Sequence, residues 1–262
     1  MIDSIYTYFQ GLMRYRWLLR QLIDRDNKVK YKRSILGYAW SVLNPLLMLS
    51  VMTAVFSGIF RFDIPNFPIY FLCGNIVFSF FQEATTLSMS SIISNAGLLK
   101  KVYIPKYIMP LSKIMSSFVN LGYSLVALIL IVLATRTNFQ WTFLLIPVPL
   151  IYLFFFSLGV GLILSVLATF FRDTLYLYGI FTTALMYLTP IFYPIEIVPD
   201  IIKNIIYWNP LYYIIQMLRQ LVLEGTMPTL EMHILCIAFA IMSLTIGLVT
   251  FYKNQTKIFL YI

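Results

Sequence analysis

Apolar residues run through this chain in six long stretches: Ser34 to Phe60, Ile64 to Leu99, Ile114 to Thr135, Thr137 to Phe171, Thr174 to Ile195 and Met232 to Tyr252. Charge is almost absent within them, and the second is interrupted only by Glu83. A helix needs about 20 residues to cross roughly 30 Å of hydrocarbon, and every stretch is longer than that. Soluble core helices of such length keep a polar face, which these lack. The pattern predicts an all-α integral membrane protein with six transmembrane helices.

Two weaker patterns flank these stretches. Ile5, Phe9, Leu12, Tyr15, Leu19, Leu22 and Ile23 recur at three- and four-residue spacing, which predicts an amphipathic helix lying on the cytoplasmic face. A solvated basic leader that only fixes topology is the plainer alternative. Met1 to Arg33 has no uninterrupted apolar core and ends in its densest run of charge, so a cleavable signal is not expected. After the fifth stretch, Pro190, Pro194, Pro199 and Pro210 cut an apolar region into pieces too short to cross. The longest, Leu211 to Glu224, would reach about 21 Å as a helix, so re-entrant or interfacial helices on the outer side are expected.

Composition and charge sharpen this picture. With 60% hydrophobic and 11% charged residues among 262, no separate soluble domain fits. Residues 1–262 read as one transmembrane domain, with a basic cytoplasmic segment over 1–33, a six-span bundle over 34–252 and a tail over 253–262. If the N-terminus is cytoplasmic, 15 of the 19 Lys and Arg residues fall inside, leaving only Arg61, Arg136, Lys203 and Arg219 outside. The positive-inside rule then places both termini in the cytoplasm. Orientation and contact with anionic lipid account for the net charge of +9, so no nucleic-acid partner is called for.

Several chemistries are not supported. No G-x-x-x-x-G-K-[ST] phosphate cradle occurs, so any ATP that drives the protein is bound by another chain. H-E-x-x-H, G-x-S-x-G and C-x-x-C are also absent, and the single histidine, His233, reads as a hydrated rim residue. Cys73 and Cys236 read as small apolar residues rather than as a disulfide or metal pair. An enzyme acting on lipid-linked sugars would need catalytic acids at one face. The cytoplasmic acids are only Asp3, Asp24, Asp26 and Asp173, the last read as a helix-cap ion pair with Arg172.

Four places could carry chemistry. Lys28, Lys30, Lys32 and Arg33 cluster before the first span, where they could grip a diphosphate headgroup or simply hold anionic lipid. Asn44-Pro45 predicts a kink just beyond. Asn95, Lys100, Lys101, Pro105 and Lys106 fit a short projecting helix that docks a soluble motor, or a basic hairpin that merely reverses the chain. Glu83 is either a polar group facing a conduit or subunit seam, or a carboxyl neutralised by burial or bonded to Gln82, Thr85 or Thr86. Aromatic residues make up 17% of the chain; Tyr70, Trp141, Tyr207 and Trp208 suit an interfacial belt, and Tyr38 and Trp40 are candidate glycan-facing rings.

The runs VKYKRSILGYAWSVLNPLLML, LLKKVYIPKYIMPLSK, FFRD, YLTPIFYP and WNPLYYIIQMLRQ, in that order, resemble the membrane subunits of ABC-2-type polysaccharide exporters, permeases for O-antigen, teichoic acid and related lipid-linked glycans. The resemblance covers nearly the whole chain. It implies a homodimer in the bacterial cytoplasmic membrane, paired with two separate ABC ATPase subunits that bind ATP and Mg. The implied cargo is a polyprenyl-diphosphate-linked glycan, and no cofactor is implied in this chain. It further implies that Lys28, Lys30, Lys32 and Arg33 form the lipid-diphosphate gate. Asn95 to Lys106 would be the ATPase-coupling helix, Ile5 to Ile23 an interface helix, and Asp200 to Glu224 the outer gate helices. An ABC-2 exporter of a drug, peptide or simple lipid is the alternative within the same architecture.

Overall fold

The computed structural model describes residues 13–56 and 64–261, and among these no strand occurs. Among the described residues ten α-helices follow one another: α1 Arg16–Lys30, α2 Ala39–Val55, α3 Phe67–Ser94, α4 Ala96–Lys101, α5 Ile108–Ala134, α6 Pro147–Phe170, α7 Thr174–Leu188, α8 Asp200–Tyr207, α9 Pro210–Arg219 and α10 Leu230–Tyr261. A 3-10 turn, Trp141–Leu145, leads into α6, and a π turn, Gln220–Glu224, extends α9.

The six expected spans resolve into four helices of spanning length and two shorter ones. Among the described residues, α3, α5, α10 and α6 with its leading turn are long and apolar enough to cross. The first stretch gives α2, with 17 residues, and the fifth gives α7, with 15, or about 26 and 22 Å of helix. α7 stops at Leu188 because Pro190 disfavours helical backbone at Thr189, which is extended. Residues 57–63, which include the end of the first stretch, lie outside the described residues.

α3 is the axis of the bundle, packing against α2, α5, α6, α7 and α9. Its apolar positions join those of α5, α6 and α9 in the main core, in which Phe71, Leu72 and Ile215 are fully buried. α10 lies so close to α6 that a Cβ added to Gly159 would sit 2.2 Å from the Ser243 carbonyl carbon. Small residues allow that approach, which supplies close packing where lipid offers no hydrophobic drive.

A second core closes the end of the bundle that carries α1 and α4, called here the basic end. Leu22, with Tyr15, Leu18 and Leu19 beside it, packs against Ile92, Leu99, Ile108, Phe251 and Ile258. This part of the amphipathic stripe therefore covers protein, which leaves Trp17 exposed. Ile5, Phe9 and Leu12 lie outside the described residues. At the opposite, far end, α9 is buried in the bundle through Leu211, Ile214, Met217 and Leu218, whereas α8 buries only Ile206.

Candidate functional site

The last turn of α1 is held on the bundle by polar contacts. Asp26 bridges Lys113 of α5 at 2.8 Å and Arg25 at 3.0 Å. Asn27 accepts from the Ser116 hydroxyl at 2.6 Å, and Arg25 donates to Asn95 Oδ1 at 3.2 Å. This docking aims Lys30 at α3, where its Nζ lies 2.7 Å from Glu83 Oε1. Asn120 Nδ2 of α5 donates to the same oxygen at 2.9 Å. Glu83 thus joins three helices; Thr85 turns away, donating to the Phe81 carbonyl and accepting from Tyr178 of α7, each at 2.6 Å.

Beyond Lys30 the chain reverses into α2 through left-handed backbone at Arg33, φ 68°, and Gly37, φ 51°. The reversal seats Tyr38 between Tyr31 and Tyr123, with ring centroids 5.1 and 5.7 Å away. Tyr31 also hydrogen-bonds Ser41 and lies under the Lys30 ammonium, 5.7 Å from the ring centroid.

Lys30 and Glu83 stand at the mouth of a cleft of about 450 Å³ between α2, α3 and α5. Asn75, Ser79 and Gln82 of α3 line one wall, with Asn44 of α2 and Asn120 and Ser124 of α5 facing in. Trp40 and Met48 add an aromatic and an apolar surface, and Met186, Ile191 and Phe192 lie at the far end. Apart from the ion pair at the mouth, its hydrogen-bonding groups are neutral amides and hydroxyls. Such a surface exchanges hydrogen bonds with a hydroxyl-rich ligand and offers no fixed charge along the way. It suits passage better than tight capture.

The four basic residues before the first span do not converge. Lys30 faces the cleft, Lys28 and Lys32 flank a separate shallow hollow with Gln21, Asp24 and Arg25, and Arg33 is exposed at the reversal. Of the two candidate rings, Trp40 lines the cleft and Tyr38 belongs to the tyrosine cluster.

In the basic segment, α4 presents Lys100 and Lys101 outward, and the following Tyr103 is 92% exposed. Asn95 is buried, with Nδ2 donating to the Ser91 carbonyl at 2.8 Å, which ties the start of α4 to the last turn of α3. Lys106 lies after half-buried Pro105 and donates to the Gln255 carbonyl of α10. Partial burial there pushes its ammonium pKa below the usual lysine value. Asp173 precedes α7 without a side-chain cap bond, and no ion pair joins it to Arg172 among the described residues. His233 Nδ1 lies 3.1 Å from the Tyr152 hydroxyl. Both cysteines are buried and free, and among the described residues no group of three metal-ligating side chains gathers.

Two features escaped the sequence reading. Asn75, Ser79, the pair Gln82 and Glu83, Thr86 and Ser90 fall at three- to four-residue intervals, a polar stripe that periodicity analysis inside an apolar stretch would have found. Arg219, counted only as an outer charge, is 2% exposed inside the far end. Its position within the short apolar run from Leu211 to Glu224 was the available signal.

The model of the family described as "ABC-2 type transporter" matches residues 18–223. A Klebsiella pneumoniae O-antigen export system permease protein, RfbA, is 32% identical over 242 residues, 92% of this chain and 93% of the relative. The Myxococcus xanthus protein of the same description is 30% identical over 72% of this chain and 73% of its own length. An Escherichia coli polysialic acid transport protein, KpsM, is 27% identical over 78% of this chain and 80% of the relative.

Proposed function

Since this chain belongs to the ABC-2 type transporter family, we propose that it is the permease subunit of an ATP-driven exporter whose cargo is a cell-surface polysaccharide linked to a polyprenyl diphosphate. The observation that carries the reading is the cleft: a cation at its basic mouth, neutral amides and hydroxyls along its wall and an apolar far end. A diphosphate would engage Lys30 by charge-assisted hydrogen bonds in competition with Glu83, and the sugars would follow along Asn75, Ser79 and Trp40. Lys28, Lys32 and Arg33 would gather the headgroup at the membrane surface before it reaches the mouth.

In this account two copies of the chain pair with two ABC ATPase subunits, which bind ATP and Mg, in the bacterial cytoplasmic membrane. The first and fifth apolar stretches complete six crossings, both termini are cytoplasmic, and α8 and α9 form the outer gate. α4 is the knob that enters the ATPase, with Lys100 and Lys101 on its surface. The contact from Arg25 to Asn95 gives a route from α4 to α1 and thence to Lys30. ATP-driven closure of the motor supplies the differential free energy that a conformational change requires.

Co-purification with an ABC ATPase subunit from the same cells, followed by ATPase assay in lipid with and without a polyprenyl-diphosphate glycan, tests the reading. Complex formation with glycan-responsive turnover is expected. A complex indifferent to that lipid would shift the cargo to a drug, peptide or simple lipid, and absence of any ATPase partner would overturn the proposal.

A further inference from the structure

The far end of the cleft is closed by a chain reversal, Thr189 to Tyr193, that is fastened to the bundle at every residue. Thr189 Oγ1 accepts from Asn209 Nδ2 at 2.9 Å, and the Pro190 and Ile191 carbonyls accept from Arg219 Nη2 at 2.8 and 3.4 Å. Phe192 stacks between Phe56 and Phe71 at 5.7 and 5.8 Å, and the Tyr193 carbonyl accepts from the Tyr70 hydroxyl at 2.9 Å. Ile191 and Phe192 line the cleft on their inner side.

Arg219 is the centre of this fastening, and it is an unusual side chain for a passive brace. It is buried, and no carboxylate pairs with it among the described residues. Its guanidinium lies 3.4 Å from the centroid of the Tyr70 ring, Nε donates to the Tyr70 carbonyl at 3.4 Å, and Nη1 has no hydrogen-bond partner. A permanently charged group held without a counter-ion is expensive to bury. A neutral residue could fill the volume, but it could not hold two carbonyls of the reversal and a ring of α3 with one planar fork. Nη1 is a buried donor without a partner, so the fork can take a new acceptor before releasing an old one.

Taking the cleft as the glycan path, we propose that Thr189 to Tyr193 is the resting seal at its outer end and that Arg219 is the positioning residue that latches it, exchanging carbonyl partners as the seal moves aside during export. The seal hangs on α9 through Asn209 and Arg219, so a shift of α9 moves the reversal with it. Arg219 touches no cargo in this account and acts through the reversal alone.

The test reads access to the cleft in the complete complex with its ATPase, reconstituted in liposomes. Ser124→Cys, on the α5 wall of the cleft, in a chain carrying Cys73→Ala and Cys236→Ala reports labelling by a membrane-impermeant maleimide added on the side opposite the ATPase. With Arg219 present, labelling is expected to be slow at rest and about tenfold faster during turnover with polyprenyl-diphosphate glycan. Arg219→Gln is expected to raise resting labelling about tenfold without ATP, and Arg219→Lys to restore most of the slow rate. If the Arg219→Gln complex does not assemble, Gly74→Ala supplies the reading. Its Cβ would sit 3.1 Å from Ile191 Cγ2 and 3.3 Å from Arg219 Nη2, loosening the seal while keeping the charge. Unchanged resting labelling in the assembled variant, with fast labelling of the parent during turnover, overturns the latch and leaves the path intact. A parent that exports glycan yet is never labelled at Ser124→Cys overturns both.

Discussion

Replacing Glu83 separates the worth of its charge from the worth of its hydrogen bonds. The side chains of Lys30 and Glu83 are 39% and 31% exposed, so their 2.7 Å contact lies between the surface and interior limits. Unit charges about 4 Å apart attract by roughly 1 kcal/mol in water and roughly 4 kcal/mol at an effective dielectric of about 20. Exposed pairs return about 0.2–1 kcal/mol in mutant cycles. A half-exposed pair with good geometry should contribute about 1 kcal/mol. Glu83→Gln keeps an acceptor for Asn120 and loses only that contribution. Glu83→Ala also strands Asn120 Nδ2, which adds about 1–3 kcal/mol.

At about 2–4 °C per kcal/mol for a chain of this size, Tm should fall by about 3 °C in Glu83→Gln and by about 4–16 °C in Glu83→Ala. Lys30→Met combined with Glu83→Gln should show a coupling of about 1 kcal/mol that shrinks at high salt. The assay is thermal unfolding of the purified permease followed by size exclusion. A freed Lys30 should also bind farnesyl diphosphate about fivefold more tightly in Glu83→Gln. Equal losses in the Gln and Ala variants, together with strict additivity with Lys30→Met, would refute the reasoning.

Three further outcomes follow from the packing. Gly159→Ala forces α6 and α10 apart, since its Cβ would lie 2.2 Å from Ser243 backbone, and the overpacking cost of about 1–3 kcal/mol should lower Tm measurably; an unchanged Tm would contradict the close approach. Lys100→Glu with Lys101→Glu should abolish ATPase co-purification with a Tm change equivalent to less than about 0.5 kcal/mol, because both side chains are exposed, and retained binding would remove α4 as the docking knob. Ser79→Leu should stop glycan export while the permease still folds and binds its ATPase, as measured by surface glycan in cells complemented with the variant; normal surface glycan would place the path elsewhere.

The helices were legible because hydrophobicity within a bilayer is a long-range, composition-level signal, and α3, α5, α6 and α10 follow from it. Their ends were less so. α5 begins at Ile108, before the apolar stretch at Ile114, since lysine is a good helix former and Lys113, paired with Asp26, continues the helix outside the apolar stretch. α10 likewise continues through Lys253 and Lys257 to Tyr261. The shortness of α7 was written in Thr189-Pro190, yet apolar composition carried the expected span on to Ile195. At the site, Lys28, Lys30, Lys32 and Arg33 are neighbours in the chain, but helical rotation and the reversal at Arg33 place them on different surfaces. Lys30 and Glu83 are 53 positions apart, and Asn120 meets Glu83 from 37 positions away, pairings that no local pattern contains.

Direct translocation tests the central claim most sharply. The permease reconstituted with its ATPase in liposomes, supplied with a polyprenyl-diphosphate glycan on the ATPase side, should deliver glycan to the opposite side in an ATP-dependent manner, detected with an impermeant glycan-cleaving enzyme. The same preparation should deliver none when the lipid carries no diphosphate. ATP hydrolysis that proceeds normally with no glycan reaching the far side would contradict the account.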